Sequence, residues 1–220
     1  MKYVVLDLEM CRIPKALETD AYKWSRETIQ IGAVLLDERY RTVKKFSTFV
    51  RPEYGYLDPF IRNLTGITKE NVYTAPCYKE AIEKFLRWLP EDDISFVAWS
   101  GADRQQIVKE SELKGLDEAI RDRLMGTWID CQKLFGEKLR VPYQYSLEEA
   151  LIASDICTEG RAHDGLVDAY NTALLFAKLS KDPDFELNKI YRDARSGKVE
   201  HLGVTLGDMF RGLQLQLAAS

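Results

Sequence analysis

Apolar, β-branched runs separated by short polar turns dominate the first part of the chain. Three such runs predict β-strands at 2–9, 29–37 and 40–50. The turn from Asp37 to Arg39 is short, so the second and third strands should be antiparallel neighbours. The chain therefore begins with an antiparallel meander.

Helices and strands alternate in the rest of the chain. Apolar residues recur at helical spacing over 75–89, where Thr74 is the expected cap and Pro76 lies in the first turn. The later predicted elements are a strand at 94–100 with a helix from about Ala102, the strand TWIDC with the helix QKLFGEKL, a helix opened by the Ser146–Glu149 capping box, and an amphipathic helix at 165–179. A meander followed by strand–helix units predicts an α/β fold, with a mixed five-stranded sheet flanked by helices.

Length and composition limit the kind of protein this is. A chain of 220 residues fits one domain, and its hydrophobic fraction of 45% is ordinary for a folded protein. The net charge of -4 lacks the strongly basic signature of proteins that coat long nucleic acids. The four cysteines show no C-x-x-C spacing, and no apolar stretch is long enough to span a membrane, so a cytoplasmic location is expected.

Two carboxylates, Asp7 and Glu9, lie two residues apart near the end of the first predicted strand. In a strand, that spacing points both side chains to one face and Leu8 to the other. A strand that simply emerges into solvent would show the same pattern. However, the run is apolar enough for a central strand, where paired like charges are costly without a cation.

Three further polar residues follow predicted strands or helix caps. Asp103 follows the strand ending in FVAWSG, where α/β sites are commonly built, although an aspartate there is also a common helix cap. His163 lies on a loop before a helix that Asp164 can cap, and Asp168 follows one turn later. An imidazole accepts a proton near neutral pH, so His163 and Asp168 can form a catalytic pair or a purely structural one.

Together these residues resemble the DEDDh group of the DnaQ-like exonuclease superfamily. The match consists of D-x-E in VVLDLEM, an aspartate in WSGADRQQI and H-x-x-x-x-D in RAHDGLVDA, and FIRNLTGIT at 60–68 is similar to the family's L-T-G-I segment. The branch that contains KapD and exonucleases trimming small regulatory RNAs and histone messages looks closest. One departure is Ala102, since the family more often has an aromatic residue just before the second-motif aspartate.

The resemblance implies an RNase H-like exonuclease domain at 1–180, with a helical C-terminal extension at 181–220. It implies that His163 is the general base and that two divalent ions, Mg²⁺ or Mn²⁺, are present. The partner implied is the single-stranded 3′ end of RNA or DNA, and the product is a nucleoside 5′-monophosphate. The implied metal ligands are Asp7, Glu9, Asp103 and Asp168, and the implied contacts to the terminal nucleotide are Met10, Leu64, Thr65 and Gly66. Trp99 and Phe60 are aromatic residues that can belong either to the core or to a base-stacking surface.

Two other functions share part of this pattern. A phosphatase of the haloacid dehalogenase type also opens with a strand ending in acidic residues, but it needs D-x-D, and Glu9 argues against it. A catalytically inactive member of the exonuclease fold would act as a binding module. The presence of all five site residues argues against that alternative.

Overall fold

A five-stranded mixed sheet forms the centre of the computed structural model, which describes residues 1–15, 24–140 and 144–195. The strands, in the spatial order β3-β2-β1-β4-β5, are β1 (Lys2–Arg12), β2 (Arg26–Leu36), β3 (Thr42–Phe49), β4 (Ile94–Ala98) and β5 (Trp128–Asp130). The first three strands are antiparallel neighbours, whereas β4 and β5 continue the sheet in parallel with β1. The predicted meander and the mixed α/β sheet are confirmed.

Helices cover both faces of this sheet. They are α1 (Pro59–Thr65), α2 (Lys69–Tyr73), α3 (Tyr78–Trp88), α4 (Gly101–Leu113), α5 (Glu118–Leu124), α6 (Cys131–Leu139), α7 (Leu147–Ala153), α8 (Gly165–Lys181) and α9 (Lys189–Arg195). Helices α6 to α9 pack on one face, α3 to α5 pack on the other, and α1 and α2 form a smaller cluster beside the end of β1. None of the helices in the described ranges is both long and apolar enough to cross a membrane.

Side-chain alternation along β1 divides the core into two layers. Val5 packs with the α8 layer, whereas Val4, Leu6 and Leu8 pack with the α3 and α4 layer. All four side chains are buried, as expected for a central strand with helices on both faces. The same alternation directs the odd-numbered carboxylates of β1 towards α8.

The start of α3 differs from the sequence prediction. Thr74 ends α2 and does not cap α3, and the helix begins at Tyr78. The N-cap is Cys77, whose backbone N–H donates to the Glu80 carboxylate at 3.0 Å. A glutamate three residues after the cap satisfies an otherwise unpaired N–H, so this arrangement fixes the first turn. The capping box predicted at the start of α7 is confirmed.

The chain beyond α8 returns to the main core. Phe185, Leu187 and Tyr191 are buried in the same cluster as the apolar face of α8. The first residues of the predicted extension therefore share the core of the main domain. The predicted domain boundary near residue 180 stays a prediction. The predicted helical character of the last 25 residues, 196–220, lies outside the described residues.

Candidate active site

The first two carboxylates, Asp7 and Glu9, lie where β1 extends beyond its pairing with the parallel strand β4. β1 pairs with β4 only from Lys2 to Val5, whereas its pairing with β2 continues to the end of the strand. Asp7 faces Gly32 and Glu9 faces Gln30 across the antiparallel pair, and a β-bulge follows Glu9. Both carboxylates therefore lie near the carboxyl end of the parallel pair, where α/β proteins build sites.

Asp103 reaches this edge from the first turn of α4. Ser100 caps the helix by accepting from the Ala102 N–H, as a residue with a short polar side chain does at a helix start. The Asp103 side chain is buried and accepts from the backbone N–H of Leu8 at 3.1 Å. This bond fixes the third carboxylate to β1, between the first two.

Close packing of two glycines brings α8 onto the same edge. A Cβ atom on Gly32 would lie 2.1 Å from the carbonyl carbon of Gly165, so the helix start rests directly on β2. Asp164 caps α8 by accepting from the Leu166 and Val167 N–H groups at 2.9 and 3.2 Å. The predicted cap is confirmed, and Asp168 in the first helical turn is held above β1 and β2.

Gln30 joins β2 to this helix start and was not anticipated from the sequence. Its Oε1 accepts from the Gly165 N–H at 3.0 Å, and its Nε2 lies 3.4 Å from the Asp164 carboxylate and 3.3 Å from the Ser47 hydroxyl. The side chain is buried, so these hydrogen bonds offset its removal from water. A signal for this contact was present in the sequence, because the apolar run IQIGAV contains polar Gln30 and the small residue Gly32.

His163 completes the group from the loop before α8. It is exposed and has a left-handed backbone with a φ of 62°, a conformation seen more often in histidine than in most residues with a Cβ atom. Its backbone N–H donates to the Asp168 carboxylate at 2.9 Å. Ligand atoms of Glu9, His163 and Asp168 all lie within 4.8 Å of one another. The structure thus brings the predicted third motif together with the first.

Burial and mutual repulsion make this group of carboxylates hard to ionise. The pKa of Asp7 is raised well above its ordinary value by burial and then by the charges of Asp103, Glu9 and Asp168. Burial and neighbouring carboxylates raise the pKa of Glu9 to about 8. Burial raises the pKa of Asp103 to about 7. Burial also raises the pKa of Asp168, although the hydrogen bond and the charge of His163 oppose that rise.

The donor set fits divalent metal ions. Within the described ranges, no lysine or arginine forms an ion pair with Asp7, Glu9, Asp103 or Asp168. Carboxylate oxygens are the ligands that Mg²⁺ and Mn²⁺ prefer, and bound cations would remove the repulsion that raises these pKa values. The arrangement therefore meets the chemical requirement for a cation site.

Comparison with known proteins places the chain in a family. Residues 4–176 match the family RNase_T, described as exonuclease. This chain belongs to the exonuclease family. It is 34% identical to ERI1 exoribonuclease 2 of Danio rerio, over 71% of this chain and 32% of that protein. It is 25% identical to 3′-5′ exoribonuclease 1 of Mus musculus, over 75% of this chain and 50% of that protein. The chain therefore spans about a third to a half of the length of these relatives.

Solved nuclease structures share the fold. The nuclease domain of 3′hExo, a DEDDh family member bound to rAMP, superimposes with a TM-score of 0.71 and 23% identity, over 86% of this chain and 96% of that one. Cell-death related nuclease 4 superimposes with a TM-score of 0.67 and 22% identity, over 85% of this chain and 66% of that one. The predicted RNase H-like architecture is confirmed, and the predicted membership of an exonuclease family is confirmed by the family match.

The family's L-T-G-I segment forms the end of α1 and the turn after it. Gly66 ends the helix with a left-handed φ of 75°, which glycine adopts without strain. Thr65 is buried, and its hydroxyl donates to the Ile61 carbonyl at 2.9 Å and accepts from the Ile67 N–H at 3.1 Å. Its side chain therefore stabilises the helix end, whereas Leu64 is partly exposed.

The other candidate contacts differ in exposure. Met10 is half-buried directly after the bulge in β1 and packs against the α3 and α4 layer. Trp99 packs against the main core, 6.2 Å from the Phe135 ring, whereas the Phe60 side chain on α1 is 63% exposed. Of these two aromatic residues, only Phe60 presents most of its surface to solvent.

Proposed function

We propose that this chain is a metal-dependent 3′-to-5′ exonuclease that hydrolyses phosphodiesters at the end of single-stranded RNA or DNA and releases nucleoside 5′-monophosphates. The observation that carries the proposal is the convergence of four carboxylates from β1, α4 and α8, without a basic side chain of the described residues paired to them. Membership of the exonuclease family and the names of the curated relatives support the same activity.

The carboxylates and the histidine have separate roles in this proposal. The residues that would hold two divalent ions, Mg²⁺ or Mn²⁺, are Asp7, Glu9, Asp103 and Asp168. The ions, when bound, would supply Lewis-acid polarisation of the phosphodiester and neutralise developing negative charge. His163 takes the proton from the attacking water. Its loop position beside Glu9 and Asp168 supports this role, because the exposed imidazole adjoins the carboxylates without being enclosed by them.

The strand end is proposed to lie between the bulge of β1 and the end of α1. The Met10 backbone, Leu64, Thr65 and Gly66 are the proposed contacts to the terminal nucleotide. Phe60 lies on the same helix and is exposed, so its ring is available to stack on a base. Stacking is tolerant of sequence, which suits an enzyme that removes successive nucleotides.

RNA is the favoured strand because the two relatives described above are named exoribonucleases. We also propose a cytoplasmic location. All four cysteines are free thiols in the structure, which suits a reducing compartment.

The direct test is degradation of matched 5′-labelled single-stranded RNA and DNA of one sequence. The protein should give a ladder that shortens from the 3′ end with Mn²⁺ or Mg²⁺ and no ladder with EDTA. Asp7→Asn should abolish the ladder, and exposed Glu112→Gln should retain it as the charge-matched control. Absence of cleavage of both strands by folded wild-type protein would overturn the proposal.

A further inference from the structure

The loop that carries His163 is fixed to α8 independently of any substrate. The Glu159 backbone is joined to the Asn171 side chain in both directions, with N···O distances of 3.2 and 3.3 Å. Gly160 has a left-handed φ of 73°, and a Cβ atom there would lie 2.8 Å from the Val167 side chain. With the His163 bond to Asp168, these contacts attach the loop to α8 at both of its ends.

Arg161 extends from this loop to the end of α1. Its Nη2 donates to the backbone carbonyls of Asn63 and Leu64 at 2.5 and 3.4 Å. Its Nη1 lies 2.1 Å from the position that a Cβ atom on Gly66 would occupy. The left-handed helix end favours glycine at 66, and the guanidinium lies in the space that a Cβ atom there would occupy.

The chemistry of this contact suits a side chain that connects the end of α1 to the loop carrying His163. The last carbonyls of a helix lack backbone partners and carry partial negative charge, which a cationic donor satisfies. A guanidinium presents several donors in a planar fork, so one side chain can engage adjacent carbonyls. The residues joined are about 98 positions apart in the chain, so local structure alone does not account for the contact.

We infer that Arg161 is a positioning residue that holds the strand-end-binding segment 64–66 against the loop carrying His163. The inference rests on the proposed function and assigns Arg161 to recognition of the terminus. It connects the segment proposed to contact the terminal nucleotide to the loop that carries the proposed general base. Because α8 fixes the loop separately, removal of Arg161 releases the α1 side and leaves the carboxylates and His163 in place.

This arrangement predicts a change in KM with little change in kcat. Arg161→Ala should raise the KM for a linear strand about tenfold, the order expected for an exposed charge-assisted hydrogen-bond pair. Turnover and Mn²⁺ binding should stay within about twofold of the wild-type values. Arg161→Lys should recover only part of the affinity, because an ammonium reaches the carbonyls as a point charge and not as a fork.

The controls separate positioning from simple attraction of phosphates. Arg39→Ala removes the same charge from the exposed turn between β2 and β3, beside the end of the sheet far from the carboxylates, and should leave KM unchanged. Binding of a linear and a circular strand of one sequence, measured with Mn²⁺ in a His163→Ala background, isolates recognition of the terminus. Arg161→Ala should weaken binding of the linear strand about tenfold and binding of the circular strand by less than about twofold.

Several results would overturn the inference. These are an unchanged KM in Arg161→Ala, an equal rise in Arg39→Ala, or equal weakening for linear and circular strands. If Arg161→Ala does not fold, Arg161→Lys carries the same comparison with a smaller expected shift. Inactive but folded wild-type protein would instead refute the proposed function, while the comparison of linear and circular binding would still test the position of Arg161.

Discussion

Two groups of buried or partly buried ionisable side chains differ in the compensating charge that the fold supplies to them. Helix α4 contributes to both, with Asp103 in its first turn and Glu110 about two turns later. The first group, the site carboxylates, consists of Asp7, Glu9, Asp103 and Asp168. The second, the Lys114 cluster, consists of Glu27, Glu110 and Lys114.

The protein itself supplies a cation and several hydrogen bonds to the Lys114 cluster. Lys114 pairs with Glu27 at 2.7 Å, and Glu27 also accepts from three successive backbone N–H groups at residues 53–55. Glu110 accepts from the Thr28 N–H and hydroxyl at 3.0 and 2.7 Å and from Gln106 at 2.7 Å. Burial raises the pKa of Glu110 to about 7, and Lys114 and these hydrogen bonds oppose that rise.

The site carboxylates lack such compensation. Their shared charge and burial raise their pKa values, and the hydrogen bonds to Asp103 and Asp168 offset only part of the rise. A buried charge is costly unless it is paired, so the first group needs cations that the second does not. The fold supplies a cation to the Lys114 cluster, whereas no lysine or arginine of the described residues pairs with the site carboxylates.

The largest expected effect is that of Asp7→Asn on catalysis. Loss of a metal ligand should lower kcat/KM by about 1,000-fold or more, since a bound ion contributes several kcal/mol to transition-state stabilisation. The same change removes a carboxyl whose ionisation is opposed by burial and by the neighbouring carboxylates, so the melting temperature in EDTA should not fall. Steady-state kinetics and calorimetry in EDTA measure the two quantities. Retention of a tenth of wild-type activity would refute Asp7 as a ligand.

For Lys114→Met, we expect a loss of stability without a loss of metal binding. Removal of the cation leaves Glu27 and Glu110 buried without their partner, which should lower the free energy of unfolding by about 3 kcal/mol. The site carboxylates are unaffected, so Mn²⁺ should bind the folded variant as it binds the wild type. Urea denaturation measures the first effect. Equal stability of variant and wild type would show that the Lys114 cluster does not depend on its lysine.

His163→Ala should separate catalysis from metal binding within the site. A positioned general base contributes roughly 100-fold or more, so kcat should fall by about that factor. Mn²⁺ affinity should change little, because the carboxylates remain. Single-turnover kinetics and Mn²⁺ titration give the two values. A near-normal rate would exclude His163 as the base.

The last prediction is a pH dependence of stability in the metal-free protein. The folded-state pKa values of Glu9, about 8, and Asp103, about 7, exceed their ordinary values of 4.5 and 3.8. The folded state therefore holds more protons than the unfolded state, so stability should decline from about pH 5 to about pH 8. Thermal unfolding in EDTA measures this decline. Mn²⁺ should stabilise more at the upper end, where protons compete less. A melting temperature that rises over this range would contradict the assignment.

Much of the site could be predicted because it follows local rules. The two-residue period of a strand placed Asp7 and Glu9 on one face, strand–helix order placed Asp103, and the capping aspartate placed His163 beside Asp168. Ordered motifs at these positions also carried the family resemblance. Each prediction needed only a few neighbouring residues.

The remaining features depend on contacts between distant segments. The approach of Gly32 to Gly165, the Gln30 bridge and the Arg161 contact with α1 each join residues roughly 100 or more positions apart. Helices α1, α2 and α5 have seven residues or fewer, too few to show a helical period. The partners of Glu27 and Glu110 were hidden for the same reason, since an isolated glutamate resembles any surface residue.

Calorimetric titration of the metal-free protein with Mn²⁺ tests the central claim most directly. Wild-type protein should bind two ions per chain, Asp7→Asn should lose at least one, and Lys114→Met should retain both. Binding should also release protons at neutral pH, because the raised pKa values leave site carboxyls protonated before the ions arrive. Absence of Mn²⁺ binding by folded wild-type protein, or equal binding by Asp7→Asn, would contradict the account.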